Sequence, residues 1–400
     1  MPLTVIYYDE SSFLVTMTVK GTRHMKLLIL SVTAGHGHNK TSRALLSAWE
    51  AAGHEGVILD TYEYLEPMLG KGVDKGYLMS TKYTPRLYGA VYSFLDKRDT
   101  DALETIHPFS SKDMREKIEE YIEEYAPDAI VCPHVFTAEI MSRIKASIGN
   151  IPVWGIVTDY TIHPFWQICD LDGYVIPNEL LKAECSRKEL PMRRIYPIGI
   201  PISPAFKSKI EAKEARRQLG IDPEKKTVML MTGSMGFGNF EKIVEKLDNL
   251  PLDIQVLIVT GNNKRAYRAL SKREWRHAMH IYGFVDNVDV MMDASDILIT
   301  KPGGLSVSES MAKNLPMIFI HPIPGHEKRN MEFLANCGVG MATSKTCSVE
   351  DCVYMYMENE WLQKNMHMSI QSIRKPDAAE DLVALLTDRI RRKNFGENID

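Results

Sequence analysis

Apolar residues in this chain gather in short aliphatic runs, separated by longer stretches where they recur every three or four positions. The first pattern predicts buried parallel strands and the second amphipathic helices. In the first half, strands are expected at 26–32, 57–59, 129–132, 153–157 and 173–176, and helices at 40–52, 114–125 and 138–147. Gly53 ends the first of these helices, as glycine commonly does. Residues 199–204 read GIPISP, too rich in proline and glycine to continue either pattern, and a charged helix follows at 210–219. A second series then begins. Its strands are expected at 227–232, 254–260, 280–282, 297–300 and 317–320, and the stretch 350–392 is helical. Such alternation predicts an α/β protein of two doubly wound domains facing across a cleft, with ligands beyond the carboxyl ends of the strands. The expected division is an extension at 1–24, a first domain at 25–202, a second at 203–385 and a tail at 386–400.

The 400-residue length fits two cores better than one. The formal net charge of -4 carries no sign of a nucleic-acid partner, and none is expected. Six cysteines are scattered without a CxxC pair, which suits reduced thiols in a cytoplasm. No apolar run reaches the ~18 residues of a membrane-spanning helix, and 1–24 lack the apolar core of a signal peptide. No His, Cys or carboxylate set has convincing metal spacing. The pair Asp170 and Asp172, just before a strand, reads as structural. Neither metal nor cofactor is expected.

Five strand-to-helix turns carry candidate chemistry. After the first strand comes Gly35-His36-Gly37-His38-Asn39-Lys40-Thr41. Asn39 stands where a P-loop needs glycine, and the spacing is one residue short, so that reading is rejected. His38 at such a turn is a general base or simply an exposed or capping histidine, and the residues alone do not choose. The second turn, 156–166, sets Asp159, His163 and Trp166 beyond a strand end. Asp159 orients a base, is one, or caps a turn, and Trp166 is equally a core residue. The third places Gly233 and Ser234 after the second domain's first strand, where backbone N–H groups receive phosphate. The fourth reads TKPGGLSVSES at 300–310. Gly303 and Gly304 make a tight turn, and the helix expected to start at Ser306 offers its N-terminus to a diphosphate. Glu309 lies at capping-box spacing from Ser306, or accepts from a ribose diol. The fifth, PIPGHEKRN at 322–330, brings His326, Glu327 and Asn330 from a loop entering a helix, a set suited to sugar hydroxyls or to a helix start.

GHGH at 35–38, VTDYTIHPFW at 157–166, TKPGGLSVSES at 300–310 and PIPGHEKRN at 322–330 together resemble glycosyltransferase family 28. Within it they resemble the diacylglycerol glycosyltransferases, processive glucosyltransferases and monogalactosyldiacylglycerol synthases alike. The likeness spans about 25–385. It implies a GT-B fold, with acceptor on the first domain and UDP-sugar mainly on the second, and inverting, metal-independent transfer. It implies His38 as base, with Asp159 the second catalytic candidate. Gly303 and Gly304 then form the diphosphate turn, Glu309 the ribose acceptor, and Glu327 and Asn330 part of the sugar loop. Phe284 and Val285 match the segment that holds uracil. His326 replaces the glutamine common in relatives, which bears on the donor sugar.

The lipid side rests on 62–98, where seven aromatic rings interleave with lysines and arginines. Periodicity alone suits an ordinary helix pair; the resemblance turns it toward an anionic lipid surface. Tyr83, Arg86, Tyr88 and Tyr92, with His163 and Trp166, are the acceptor-side candidates. The function expected is hexose transfer from a UDP-sugar, UDP-glucose before UDP-galactose, to diacylglycerol or a glycosyldiacylglycerol. The enzyme is expected to sit peripherally on the inner face of the cell membrane. A peptidoglycan-precursor N-acetylglucosaminyltransferase, a UDP-sugar 2-epimerase and a non-catalytic UDP-sugar sensor are the alternatives.

Overall fold

The computed structural model describes residues 4–5, 17–18, 24–32, 36–65, 112–233 and 240–394. Thr4–Val5 pairs antiparallel with Met17–Thr18, apart from both main sheets. The first main sheet has six parallel strands: β1 (Lys26–Ser31), β2 (Glu55–Asp60), β3 (Ala129–Cys132), β4 (Val153–Ile156), β5 (Gly173–Val175) and β6 (Ile195–Tyr196), in spatial order β2-β1-β3-β4-β5-β6. The second also has six: β7 (Lys226–Met231), β8 (Ile254–Val259), β9 (Ala278–Tyr282), β10 (Ile297–Thr300), β11 (Met317–Phe319) and β12 (Gly340–Ala342), in order β9-β8-β7-β10-β11-β12. Both orders reverse direction beside their first strand, at β1/β3 and at β7/β10. Those reversals open the crevices in which doubly wound sheets bind ligands.

Both sheets are covered on each face, which is why their strands read as unbroken aliphatic runs. One face of the first sheet buries Leu28, Leu30, Ile130 and Val153 against Ile118, Ile122 and Ile140 of α3 (Lys112–Tyr125) and α4 (Val135–Ile144). The other face buries Leu27, Ile29 and Val131 against Leu45 and Trp49 of α1 (His36–Ala51). The short α2 (Thr61–Leu65) follows β2.

The C-terminal helix corrects the expected domain division. Beyond α5 (Lys182–Arg187), α6 (Ala212–Gln218), α7 (Phe240–Asp248), α8 (Lys264–Leu270), α9 (Val288–Asp293), α10 (Gly304–Ala312), α11 (His326–Asn336), α12 (Val349–Met357) and α13 (Glu360–Ile373) comes α14 (Ala378–Asn394). Its Leu382, Val383, Leu386 and Ile390 belong to the core formed by Met25, Leu27 and Trp49. Arg389 Nη2 donates to the Tyr196 hydroxyl at 2.9 Å. The chain therefore returns to the first domain, and 386–394 is no tail. Two passages cross between the domains at one place. Gly199 (φ 114°) lies so close to the returning chain that a Cβ there would sit 2.5 Å from that of Lys375. The linker after it is anchored to the second domain, where the buried Asp293 carboxylate accepts from Ile210 N at 3.1 Å and from Lys313 Nζ at 2.6 Å.

Candidate active site

Two strand ends of the first domain and the start of α1 converge on His38. Its Nδ1 lies 3.0 Å from the carbonyl oxygen of Pro133, which follows β3, and 3.3 Å from the Thr158 hydroxyl, which follows β4. A carbonyl only accepts, so Nδ1 carries the proton and Nε2 keeps its lone pair. The Ser42 hydroxyl donates to the His38 carbonyl at 2.8 Å, inside the first turns of α1. The His134 ring meets His38 edge-on, centroids 4.6 Å apart, while its own Nδ1 accepts from Phe136 N at 3.1 Å and caps α4. His163 does the same for the short 3-10 helix Pro164–Ile168, accepting from Phe165 N at 3.2 Å. Burial pushes the His38 pKa below the ordinary imidazole value; Asp159 and the Pro133 carbonyl oppose this, and His326 adds to it. His134 is pushed lower still, by burial first and then by His38 and His163. Both imidazoles are therefore neutral at neutral pH.

The second domain presents α10 to this cluster. Gly303 is its N-cap and the helix begins at Gly304, two residues before the start expected at Ser306. No side chain caps it, so the capping box, the alternative role for Glu309, does not form, and Ser306 sits half-buried in the first turn. The backbone approaches closely here: a Cβ on Gly304 would lie 1.9 Å from the Thr158 carbonyl oxygen. Beside that contact the Tyr160 hydroxyl is 3.0 Å from Ser308 Oγ, and its ring stacks on Phe333 of α11 at 5.7 Å. Tyr160 thus belongs by packing to the second domain's core. Glu309 is 4% exposed, and burial raises its pKa to about 7 against the opposing charge of Lys40. An ionised carboxylate there needs a partner that donates.

The loop before α11 turns at Gly325 (φ 104°), a conformation open to glycine. Half-buried His326 opens the helix. Glu327 is buried and braces the loop, its Oε2 accepting from Ile323 N at 2.7 Å. Asn330 Nδ2 donates to Asp159 Oδ1 at 2.8 Å and to the Pro302 carbonyl at 3.0 Å. Gly233 follows β7 with φ 80°. Phe284 is 57% exposed after β9, beside half-buried Val285.

The structure therefore brings His38, Asp159, Gly303, Gly304, Glu309, His326 and Asn330 together where the two domains meet. It does not bring Trp166 to the acceptor side. That ring is 4% exposed and packs in the first core, where a Cβ on Gly155 would lie 2.6 Å from it. Ser234, Tyr83, Arg86, Tyr88 and Tyr92 lie outside the described residues. His134, Thr158 and Tyr160 were not singled out from the sequence. Histidine after a strand and before a helix, as in Pro133-His134, was the available signal for the first. Among the described residues no group of three or more His, Cys, Asp or Glu is placed to hold a metal ion, and no helix is long and apolar enough to cross a membrane.

Residues 38–202 match the sequence model of monogalactosyldiacylglycerol (MGDG) synthase, and 227–382 match that of the glycosyltransferase family 28 C-terminal domain. The processive diacylglycerol beta-glucosyltransferase of Bacillus pumilus (strain SAFR-032) is 24% identical over 363 residues, covering 90% of this chain and 93% of the relative. That of Bacillus subtilis (strain 168) is 24% identical over 361 residues, covering 89% and 93%. Among solved structures, MurG of Acinetobacter baumannii superposes with a TM-score of 0.60 at 14% identity, over 91% of this chain and 99% of that one. HepE of Anabaena, solved in complex with UDP, superposes with a TM-score of 0.55 at 10% identity, over 93% and 100%. These two share the fold of paired sheets. The chain belongs to glycosyltransferase family 28, in its diacylglycerol glycosyltransferase branch, and is a glycosyltransferase of the GT-B fold.

Proposed function

We propose that the enzyme transfers a hexose from a UDP-sugar, with inversion and without a metal, to the hydroxyl of diacylglycerol or a glycosyldiacylglycerol. One observation carries the chemistry: His38 Nδ1–H donates a hydrogen bond to the Pro133 carbonyl, which leaves the Nε2 lone pair to take a proton. The acceptor hydroxyl attacks the anomeric carbon and passes its proton to Nε2. The bond from that carbon to the phosphate oxygen breaks, and UDP leaves with the electron pair. Backbone N–H groups of Gly304 and Ser306, at the start of α10, meet the charge on the leaving diphosphate, while Gly303 gives its own N–H to the Lys301 carbonyl at 2.9 Å and shapes the turn. Glu309 receives the ribose hydroxyls, Gly233 and Ser234 the phosphate side, and Phe284 and Val285 the uracil. His326, Glu327 and Asn330 line the hexose. The negative charge of Asp159 favours the imidazolium that forms on His38. His163 flanks the acceptor, with Tyr83, Arg86, Tyr88 and Tyr92 at an anionic membrane on the cytoplasmic side.

The relatives named as glucosyltransferases support glucose over galactose. The test offers diacylglycerol in anionic liposomes and radiolabelled UDP-glucose or UDP-galactose, with EDTA present. A labelled, EDTA-resistant β-linked glycolipid formed from UDP-glucose supports the donor, the acceptor, inversion and metal independence. Product dependent on added divalent metal contradicts the metal-independent part.

A further inference from the structure

Asp159 stands beyond β4 in the first domain and Asn330 on α11 in the second, yet Asn330 Nδ2 is 2.8 Å from Asp159 Oδ1 and 3.0 Å from the Pro302 carbonyl oxygen. A carboxylate oxygen and a peptide carbonyl both accept. The amide nitrogen must therefore face them, and the orientation of this amide is settled by its partners. Both N–H groups are used. What remains is the carbonyl oxygen Oδ1, on a side chain that is 0% exposed, and it meets no donor among the described residues. A buried acceptor without a donor is costly, so the arrangement suits a hydroxyl delivered by a ligand.

We infer that Asp159 is a positioning residue acting through Asn330: across the domain interface it fixes the amide so that Asn330 Oδ1 accepts a hydrogen bond from a hydroxyl of the donor hexose. This rests on the UDP-hexose reading above. Pro302 directly precedes the Gly303–Gly304 turn, so the same amide is held in register with the diphosphate site. The Asp159 contact forms only with the domains together, which ties hexose recognition to closure. His38 Nδ1 is engaged by Pro133, so Asp159 is not the acceptor of that proton.

Calorimetric binding of UDP and of UDP-glucose to the full chain separates the possibilities. UDP lacks the hexose, so its affinity stays within about twofold in every variant and also reports that the variant is folded. Asp159→Ala weakens UDP-glucose binding about tenfold, the loss of one hydrogen bond to a charged group. Asp159→Asn can still present an oxygen to Nδ2 and stays within about threefold of the parent. Asn330→Ala loses about as much as Asp159→Ala, and the double variant loses no more than either. Additive losses in the double variant, or equal losses for UDP and UDP-glucose, overturn the inference while leaving the transferase reading intact. If the unaltered protein binds neither ligand, the donor reading fails and this inference with it.

Discussion

The imidazole of His38 and the carbonyl of Pro133, 95 residues apart in sequence, are joined by a 3.0 Å hydrogen bond that leaves Nε2 as the basic atom. A base must be neutral to work, and His38 is neutral above its own pKa. Burial sets that pKa below the ordinary value of about 6.5. The acid limb of kcat, read at saturating donor so that donor binding does not enter, is therefore expected below about pH 6.5, with a plateau through neutrality. Asp159 raises the pKa, so Asp159→Asn moves the limb to lower pH. A pH–rate profile of the two proteins checks both directions.

Glu309 gives the opposite sign. Burial raises its pKa to about 7, so the folded protein holds a proton there that the unfolded chain has lost above its usual carboxyl range. Its contribution to stability is fully favourable below about pH 4.5 and declines as pH rises through 7. Glu309→Gln removes that penalty. Melting curves should show the variant stabilised at pH 8, by on the order of a few kcal/mol, and unchanged at pH 4.5. If the ionised form holds the ribose diol, UDP affinity of the parent rises about tenfold from pH 6 to pH 8, and the variant lacks that dependence.

Gly304 and Gly303 differ by what lies above them. A Cβ on Gly304 meets the Thr158 carbonyl at 1.9 Å, a backbone atom, while one on Gly303 meets nothing within 4 Å. Gly304→Ala should force the domains apart, enlarging the radius of gyration in small-angle scattering, and Gly303→Ala should not. Misalignment on the scale of an ångström lowers kcat about 100-fold, so Gly304→Ala is expected to lose at least that much activity.

Truncation after residue 377 tests the return of the chain. It removes Leu382, Val383, Leu386 and Ile390 from the core around Trp49. Each buried aliphatic side chain is worth roughly 1.5–3 kcal/mol, so the loss approaches the whole stability of a domain. Calorimetry of the truncated chain should show one cooperative transition, that of the second domain, in place of two or a coupled one.

Much of the architecture was legible because buried parallel strands are runs of aliphatic residues. The strands at 129–132 and 297–300 lie where the runs lie. The short β6 and β12 were not legible, since two or three residues carry no period. Nor was the destination of α14, because an amphipathic helix announces that it packs but not upon what. The glycines and His38 could be read as a crevice from the turns that hold them. That Asp159 faces Asn330, and that Pro133 orients His38, depends on contacts spanning 171 and 95 residues, which only the closed fold supplies. Trp166 went the other way: aromatic rings in a motif read equally as site or core, and packing on Gly155 decides for core.

The central claim is that His38 takes the proton of a lipid hydroxyl as a hexose leaves UDP. The most direct measurement is glycolipid formation from labelled UDP-glucose and diacylglycerol liposomes by the parent and by His38→Ala, alongside UDP binding to each. The account predicts a fall in turnover of about 100-fold or more with UDP affinity unchanged. Undiminished glycolipid synthesis by His38→Ala would contradict it.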